Sequence, residues 1–152
     1  MQLIAPNYGN MLWITSRMRS ADKEEIYATR WDECPKSLAA DALLFPHTTW
    51  IASDGKEPVA AGGAAPLHKG VWSMWMFATD KWNKVALGAT KHAKRVLIPQ
   101  LIKSGAHRLE CKSHHRHDVA QKWLEMLGAS KESTLINYGK NREDFVMFAW
   151  NF

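Results

Sequence analysis

Several things are scarce in this 152-residue sequence, and each scarcity excludes something. Only two cysteines occur, Cys34 and Cys111, far apart and without a metal-ligand spacing. They read as free thiols of a reducing compartment, not as a disulfide framework. No apolar run is long enough to cross a bilayer, and no signal-peptide pattern is present. The expectation is a cytoplasmic protein with no membrane partner. Basic residues outnumber acidic ones, giving a formal charge of +5, yet no run of five or six cations occurs. A basic arm for nucleic acid is therefore not indicated, while acidic or phosphorylated partners are favoured. Repeats and low-complexity linkers are also missing, and the length suits one domain.

Tryptophan is abundant, with eight copies. Each buries a large area but needs a partner for its N–H, so several are expected to line a cleft. The organising stretch is Val71–Gly105. Val71–Ala78, VWSMWMFA, is short, aromatic and apolar, as in a strand buried on both faces. A polar break at Thr79–Lys84 follows, where Asp80 or Asn83 can cap a helix. Val85, Ala89, Ala93, Val96, Leu97 and Leu101 then recur at helical spacing, with Lys84, Lys91, Lys94 and Arg95 between them. Gly105 stands where a helix-ending glycine belongs. A buried strand feeding a helix start beside cations is a natural anion site, because free N–H groups and the helix dipole both favour negative charge. The same pattern also fits an ordinary strand–helix unit with a solvated basic face.

The rest of the chain falls into short elements. Met1–Pro6 reads as an edge strand. Asn10–Thr29 reads as two helical pieces broken and re-capped at Ser20-Ala21-Asp22, with Glu24 and Glu25 in the new first turn and Met11, Ile14, Met18, Ile26 and Tyr27 on one face. Pro35 opens a helix that Pro46 stops. Thr48–Ser53 and Glu57–Leu67 form a hairpin around Asp54-Gly55, with a bulge or close approach at Gly62-Gly63 and an end at Pro66. Arg108–Ser113 must run parallel to the Val71 strand, since a helix connects them. Asp118–Leu127 is a helix with Val119, Ala120, Trp123 and Leu127 on one side. Ser133–Tyr138 and Phe145–Trp150 form a C-terminal hairpin, whose open edge makes a homodimer plausible.

That order of elements resembles the GNAT superfamily of N-acetyltransferases over nearly the whole chain. The resemblance implies an α/β (α+β) fold with a mixed central sheet of about six to seven strands and about four flanking helices. HDVAQKWLEMLGA, His117–Ala129, keeps Ala120, Trp123 and Gly128 in the register of the family's later helix. Three pieces, MRSADKEEIYAT, SDGKEPVAAGG and WMFATDKWNKVALGATKHAKRVLIPQLI, are similar to GNAT-like proteins of tailed bacteriophages. Some of those are acetyltransferases and others internal virion or virion-assembly proteins.

The resemblance implies acetyl-CoA as co-substrate and an unidentified amine as acceptor. Met76, Phe77 and Ala78 would bind the pantetheine as a pseudo-strand, with an oxyanion N–H near Phe77 and Ala78. Lys84, Val85, Ala86, Leu87, Gly88 and Ala89 would hold the pyrophosphate, although this loop carries one glycine where the family pattern has more. Trp72, Trp75 and Trp82 would shape the acceptor site. The family's usual tyrosine position is Leu124 here, so Tyr138 is the nearest proton donor. Amine transfer also needs a base: Glu110, or His114, His115 or His117 just beyond it. The HHRH group has no acidic or thiolate partner at ligand spacing, so no metal is assigned. The alternative is a non-catalytic phage protein that keeps the fold and acts in virion assembly or in binding a host factor within an infected bacterium.

Overall fold

The computed structural model describes residues 1–152. Seven strands form one mixed sheet in the order β1-β2-β3-β4-β5-β7-β6. These are β1 Gln2–Ile4, β2 Thr49–Ser53, β3 Pro58–His68, β4 Val71–Ala78, β5 Arg108–His114, β6 Ser130–Leu135 and β7 Phe145–Asn151. Every neighbouring pair is antiparallel except β4 with β5. The helices are α1 Tyr8–Thr15, α2 Ser20–Tyr27, α3 Pro35–Asp41, α4 Ala86–His92, α5 Ile98–Lys103 and α6 Asp118–Met126. A π-helical stretch, Ala93–Leu97, joins α4 to α5 into one continuous helix.

The sheet separates two apolar layers. On one face Met11, Ile14, Met18, Tyr27 and Leu38 from α1–α3 pack against Ile51, Ala61 and Phe77. On the other, Ala89, Ala93, Leu97 and Leu101 join Trp123, Leu124 and Leu127 of α6 over Val59, Leu109, Phe148 and Trp150. Strand alternation explains the division of β4: Trp75 and Phe77 face α1–α3, whereas Met74 and Met76 face the central helix and α6.

Several sequence expectations are corrected. The break in the first helix lies at Ser16–Arg19, one turn earlier than Ser20-Ala21-Asp22, and Arg19 occupies the N-cap without a side-chain capping bond. Asp22 is in the first turn of α2 but caps nothing there, because its carboxylate is used across the fold. Val85 holds the N-cap of α4, so neither Asp80 nor Asn83 caps it. Val96 is 49% exposed, since the π-helical stretch adds a residue to the turn and rotates the apolar stripe past it. Pro99, which has no N–H to give to a preceding turn, lies two residues past this stretch. Val119 is solvent-exposed, and Tyr138 lies in the loop after β6, not in a strand. β3 continues to His68, with its irregularity between Pro66 and His68.

Gly62-Gly63 is a close approach and not a bulge, for the register runs through both residues unbroken. A Cβ on Gly62 would lie 2.5 Å from Trp50 Cζ2, and one on Gly63 would lie 2.7 Å from the backbone oxygen of Thr48. The Thr48 oxygen belongs to the backbone and cannot swing away. Gly63→Ala is therefore expected to cost about 1–3 kcal/mol, as overpacking does elsewhere, readable as a lower urea midpoint with an unchanged slope.

Candidate active site

β4 and β5 are neighbours for only part of their length. Val71, Trp72 and Ser73 pair with Arg108, Leu109 and Glu110, and beyond Ser73 the two strands part. The parting leaves backbone groups to be satisfied by something else. On β4 their direction follows from the ladder: Thr79 N–H donates to Val59 O at 2.8 Å, so by alternation Phe77 and Trp75 also bond toward β3. Ala78 and Met76 then point their N–H and C=O groups toward the gap. On β5, His114 N–H points the same way, and Lys112 shares its side by alternation.

Helix α2 closes the wide end of this gap. Asp22 Oδ2 accepts from Ala78 N–H at 2.7 Å, and Arg19 N–H donates to Ala78 O at 2.9 Å. Three residues on, Glu25 Oε2 accepts from His114 N–H at 2.7 Å and from the Ser113 hydroxyl at 2.8 Å. One carboxylate thus holds the end of β4 and the next holds the end of β5, replacing ladder bonds that the splayed strands do not make. Asp22 is fully engaged: Arg19 bonds both its oxygens, at 2.7 and 3.1 Å, and His117 Nε2 lies 2.7 Å from Oδ1. Between these staples and the last β4–β5 pair, Met76 retains a backbone N–H and C=O aimed into the gap.

The gap opens into a cavity of about 300 Å³. Its apolar walls include Trp50, Met74, Trp75, Trp123, Leu124 and Phe145, and its polar groups include Asp22, Glu25, Lys112 and Tyr138. Burial raises the Glu25 carboxyl above the ordinary carboxylate range, against the opposing pull of His117 and of the bonds from His114 and Ser113. Burial is also the largest influence on His117 and resists its charge, but the Asp22 bond and the Glu25 and Asp22 charges together raise its pKa. The thiol of Cys111, another lining residue, is pushed up to about 12 by burial and by the Glu25 charge.

The residues named from sequence are dispersed around this gap. Glu110 lies at the closed end, opposite Ser73, and is held by Arg108 at 3.0 Å and Lys112 at 3.7 Å. It does not line the cavity. His117 is buried behind the wall, at the N-cap of α6. Tyr138 stands among the lining residues, edge-on to Phe145 at 5.5 Å. His114 accepts from Arg116 N–H through Nδ1, and its Nε2 is 3.4 Å from Glu24 Oε1. His115 Nδ1 donates to Asp144 O. The histidines of HHRH therefore face three separate partners. Of the three tryptophans expected as a wall, Trp75 lines the cavity, while Trp82 packs edge-on against Trp123.

A second, shallower depression lies at the start of the central helix, beside Lys84, Leu87, Gly88, Lys91 and Arg95. The short 3-10 turn Trp82–Lys84 leads into it. The first helical bond runs from Ala89 N–H to Val85 O, so the N–H groups of Ala86, Leu87 and Gly88 precede the intrahelical ladder. Lys84 Nζ is 3.8 Å from Asp54, while Gly88 packs under the flexible Met1 side chain.

No protein-family model matches the sequence, and no curated protein matches it. Solved structures do match. The ribosomal-protein-alanine N-acetyltransferase of Brucella melitensis aligns over 100% of both chains with a TM-score of 0.75 at 11% identity. An acetyltransferase of the GNAT family from Bacillus anthracis aligns over 98% of this chain and 93% of its own, with a TM-score of 0.72 at 12% identity. The chain has the GNAT fold. The yncA protein of Salmonella typhimurium, solved with its cofactor acetyl-CoA, aligns over 99% of this chain and 93% of its own, with a TM-score of 0.74 at 11% identity. At such identities the likeness lies in the course of the backbone. What the GNAT fold does here has to be read from this chain's own side chains.

Sequence reasoning missed the pair that shapes the gap, Asp22 and Glu25. Asp22 reads as a cap and Glu25 as a first-turn acid favoured by the dipole, but α2 begins at Ser20, so only Asp22 lies in the first turn and Glu24 and Glu25 lie beyond it. The available signal was their i, i+3 spacing, which puts both on one face of α2 beside Ile26 rather than around the helix.

Proposed function

We propose that this protein is an acetyl-CoA-dependent N-acetyltransferase. The observation that carries the reading is the window between β4 and β5, bounded by the Ser73–Glu110 pair and the Asp22 staple, in which Met76 keeps an unpaired N–H and C=O. An extended pantetheine amide suits that window, as a strand would. The N–H groups of Ala86, Leu87 and Gly88, with Lys84, Lys91 and Arg95 beside them, suit the pyrophosphate and phosphate charges. The thioester would then lie over the cavity, near the Met76 N–H.

Acetyl-CoA supplies an activated acyl group. The chain's task is to orient it, to bind the acceptor amine, and to stabilise the carbonyl oxygen as it gains charge. Met76 N–H is the free donor for that oxygen, because Ala78 N–H is held by Asp22 and Phe77 N–H faces β3. Tyr138, at the cavity, would give a proton to the leaving thiolate, whereas Leu124 has none to give. Glu110 would set the charge of Arg108 and Lys112 and not touch the acceptor, and His117 would act through Asp22. The cavity of about 300 Å³ adjoins this window and leaves room for an acceptor beside the thioester; a non-catalytic binding role in a virion has no such feature to support it.

Calorimetric titration with acetyl-CoA and with CoA tests the reading. Micromolar binding is expected. Lys84→Glu and Gly88→Glu should each weaken it at least tenfold by placing an anion at the helix start. Absence of binding at millimolar cofactor would remove the enzyme reading and leave the partner-binding one.

A further inference from the structure

The two carboxylates at the cavity are not equivalent. Asp22 has both oxygens engaged, by Arg19, Ala78 and His117. Glu25 accepts its two bonds, from Ser113 and His114, through Oε2 alone. Glu25 lines the cavity, and its second oxygen, Oε1, has no hydrogen-bond donor from the protein yet is not sealed within it. A carboxylate oxygen left free at the wall of a largely apolar cavity is a receptor waiting for a cationic donor.

We propose that Glu25 Oε1 receives the ammonium group of the acceptor and takes its proton, and that the acceptor is a monoamine on an apolar body of about the size of an aromatic ring. This rests on the acetyltransferase reading. The proton passes from R–NH3+ to the Glu25 carboxylate. The neutral nitrogen then forms a C–N bond to the thioester carbonyl carbon, and the C–S bond breaks. Tyr138 gives its proton to the departing thiolate and takes the second nitrogen proton in its place, and Glu25 returns its own to solvent. The products are the N-acetyl amine, CoA and one proton.

The walls decide the rest of the acceptor. Trp75, Phe145, Met74 and Leu124 offer apolar surface, and Tyr138, with Lys112 Nζ 5.8 Å over its ring, also lines the cavity. Both lining cations are paired, Arg19 with Asp22 at 2.7 Å and Lys112 more loosely with Glu110 at 3.7 Å. Asp22 and Glu25 are the acids lining the cavity and both Asp22 oxygens are engaged, so a second ammonium finds no open carboxylate there. Polyamines are therefore disfavoured and a single amine preferred. The charged and titratable groups around Glu25 are Arg19 and Asp22 at the start of its own helix, Cys111 and Lys112 on β5, His117 at the start of α6 and Tyr138 among the lining residues; His114 meets it through its backbone N–H.

The test uses 2-phenylethylamine as probe, titrated calorimetrically into the full chain, both free and saturated with CoA so that no turnover occurs. Glu25→Gln keeps a carbonyl oxygen for Ser113 and His114 but cannot take a proton. The wild-type protein is expected to bind the amine at least tenfold more tightly than Glu25→Gln, and more tightly than the uncharged 2-phenylethanol or spermidine. Its affinity should rise with pH as Glu25, whose burial holds its carboxyl above the ordinary range, ionises, with no such rise in the variant. CoA affinity should be equal in both proteins. Equal amine affinity in the two, tighter spermidine binding, or a flat wild-type pH profile would each overturn the proposal. If Glu25→Gln does not fold, the wild-type pH profile and the 2-phenylethanol comparison still decide it. Failure of CoA itself to bind would instead overturn the acetyltransferase reading, and the titration of the free protein would still report on Glu25.

Discussion

Asp22→Ala is expected to destabilise the protein by about 3–5 kcal/mol, the usual cost of removing one partner of a buried ion pair. The side chain is 3% exposed and accepts from donors on three separate elements: Arg19, the end of β4 and His117 at the start of α6. Its loss leaves the Ala78 N–H unsatisfied and two cationic or polar groups without their counter-charge. Asp22→Asn should recover little, because both oxygens face donors only and the amide must turn its NH2 toward one of them. Urea unfolding monitored by tryptophan fluorescence reads the loss.

The pH dependence of that loss has a fixed sign. His117 has a raised pKa in the fold, so its contribution is complete below its unfolded value of about 6.5 and fades as pH rises through the folded value. The stability gap between wild type and Asp22→Ala should therefore be wider at pH 6 than at pH 9. A gap that stayed constant from pH 6 to 9 would mean that His117 is neutral beside Asp22 throughout and that the coupling lies elsewhere.

The same residues show what was legible in the sequence. Element order was legible because it depends on local periodicity. The apolar run 71–78, the alternating stripe of the following helix and the glycines at 105 and 128, both with positive φ, each carry their meaning within a few residues. The parallel pairing of β4 and β5 followed from the helical crossover. The gap was not legible, because it is made by contacts spanning the chain. Asp22 reaches Ala78 and His117, 56 and 95 residues on, and Glu25 reaches His114, 89 residues on. Glu110 looked poised on a strand facing the cleft, yet its own neighbours Arg108 and Lys112, two residues either side and so on the same face, claim it. Val96 was misplaced because a π-helical turn has no signature in a 3.6-residue periodicity.

The free N–H of Met76 makes the sharpest test of the site. Proline in a strand normally removes a ladder bond. At Met76 there is none to remove, since this N–H points away from β3 and into the gap. Met76→Pro should therefore lose the donor while keeping most of the sheet. The expected effect on acetyl transfer is about a 10²–10³-fold fall in kcat, as for loss of one oxyanion donor elsewhere. Phe77→Pro is the control one residue on. Its N–H belongs to the β3 ladder and its ring lies in the α1–α3 core. That variant should lose about 3 kcal/mol or more of stability. A Met76→Pro protein that remains folded and turns over at the wild-type rate would show that Met76 does not stabilise the developing charge. The reverse pattern, with Met76→Pro unfolded and Phe77→Pro intact, would mean that the strand's bonding alternates in the opposite phase and that the donor for the carbonyl oxygen lies at Phe77.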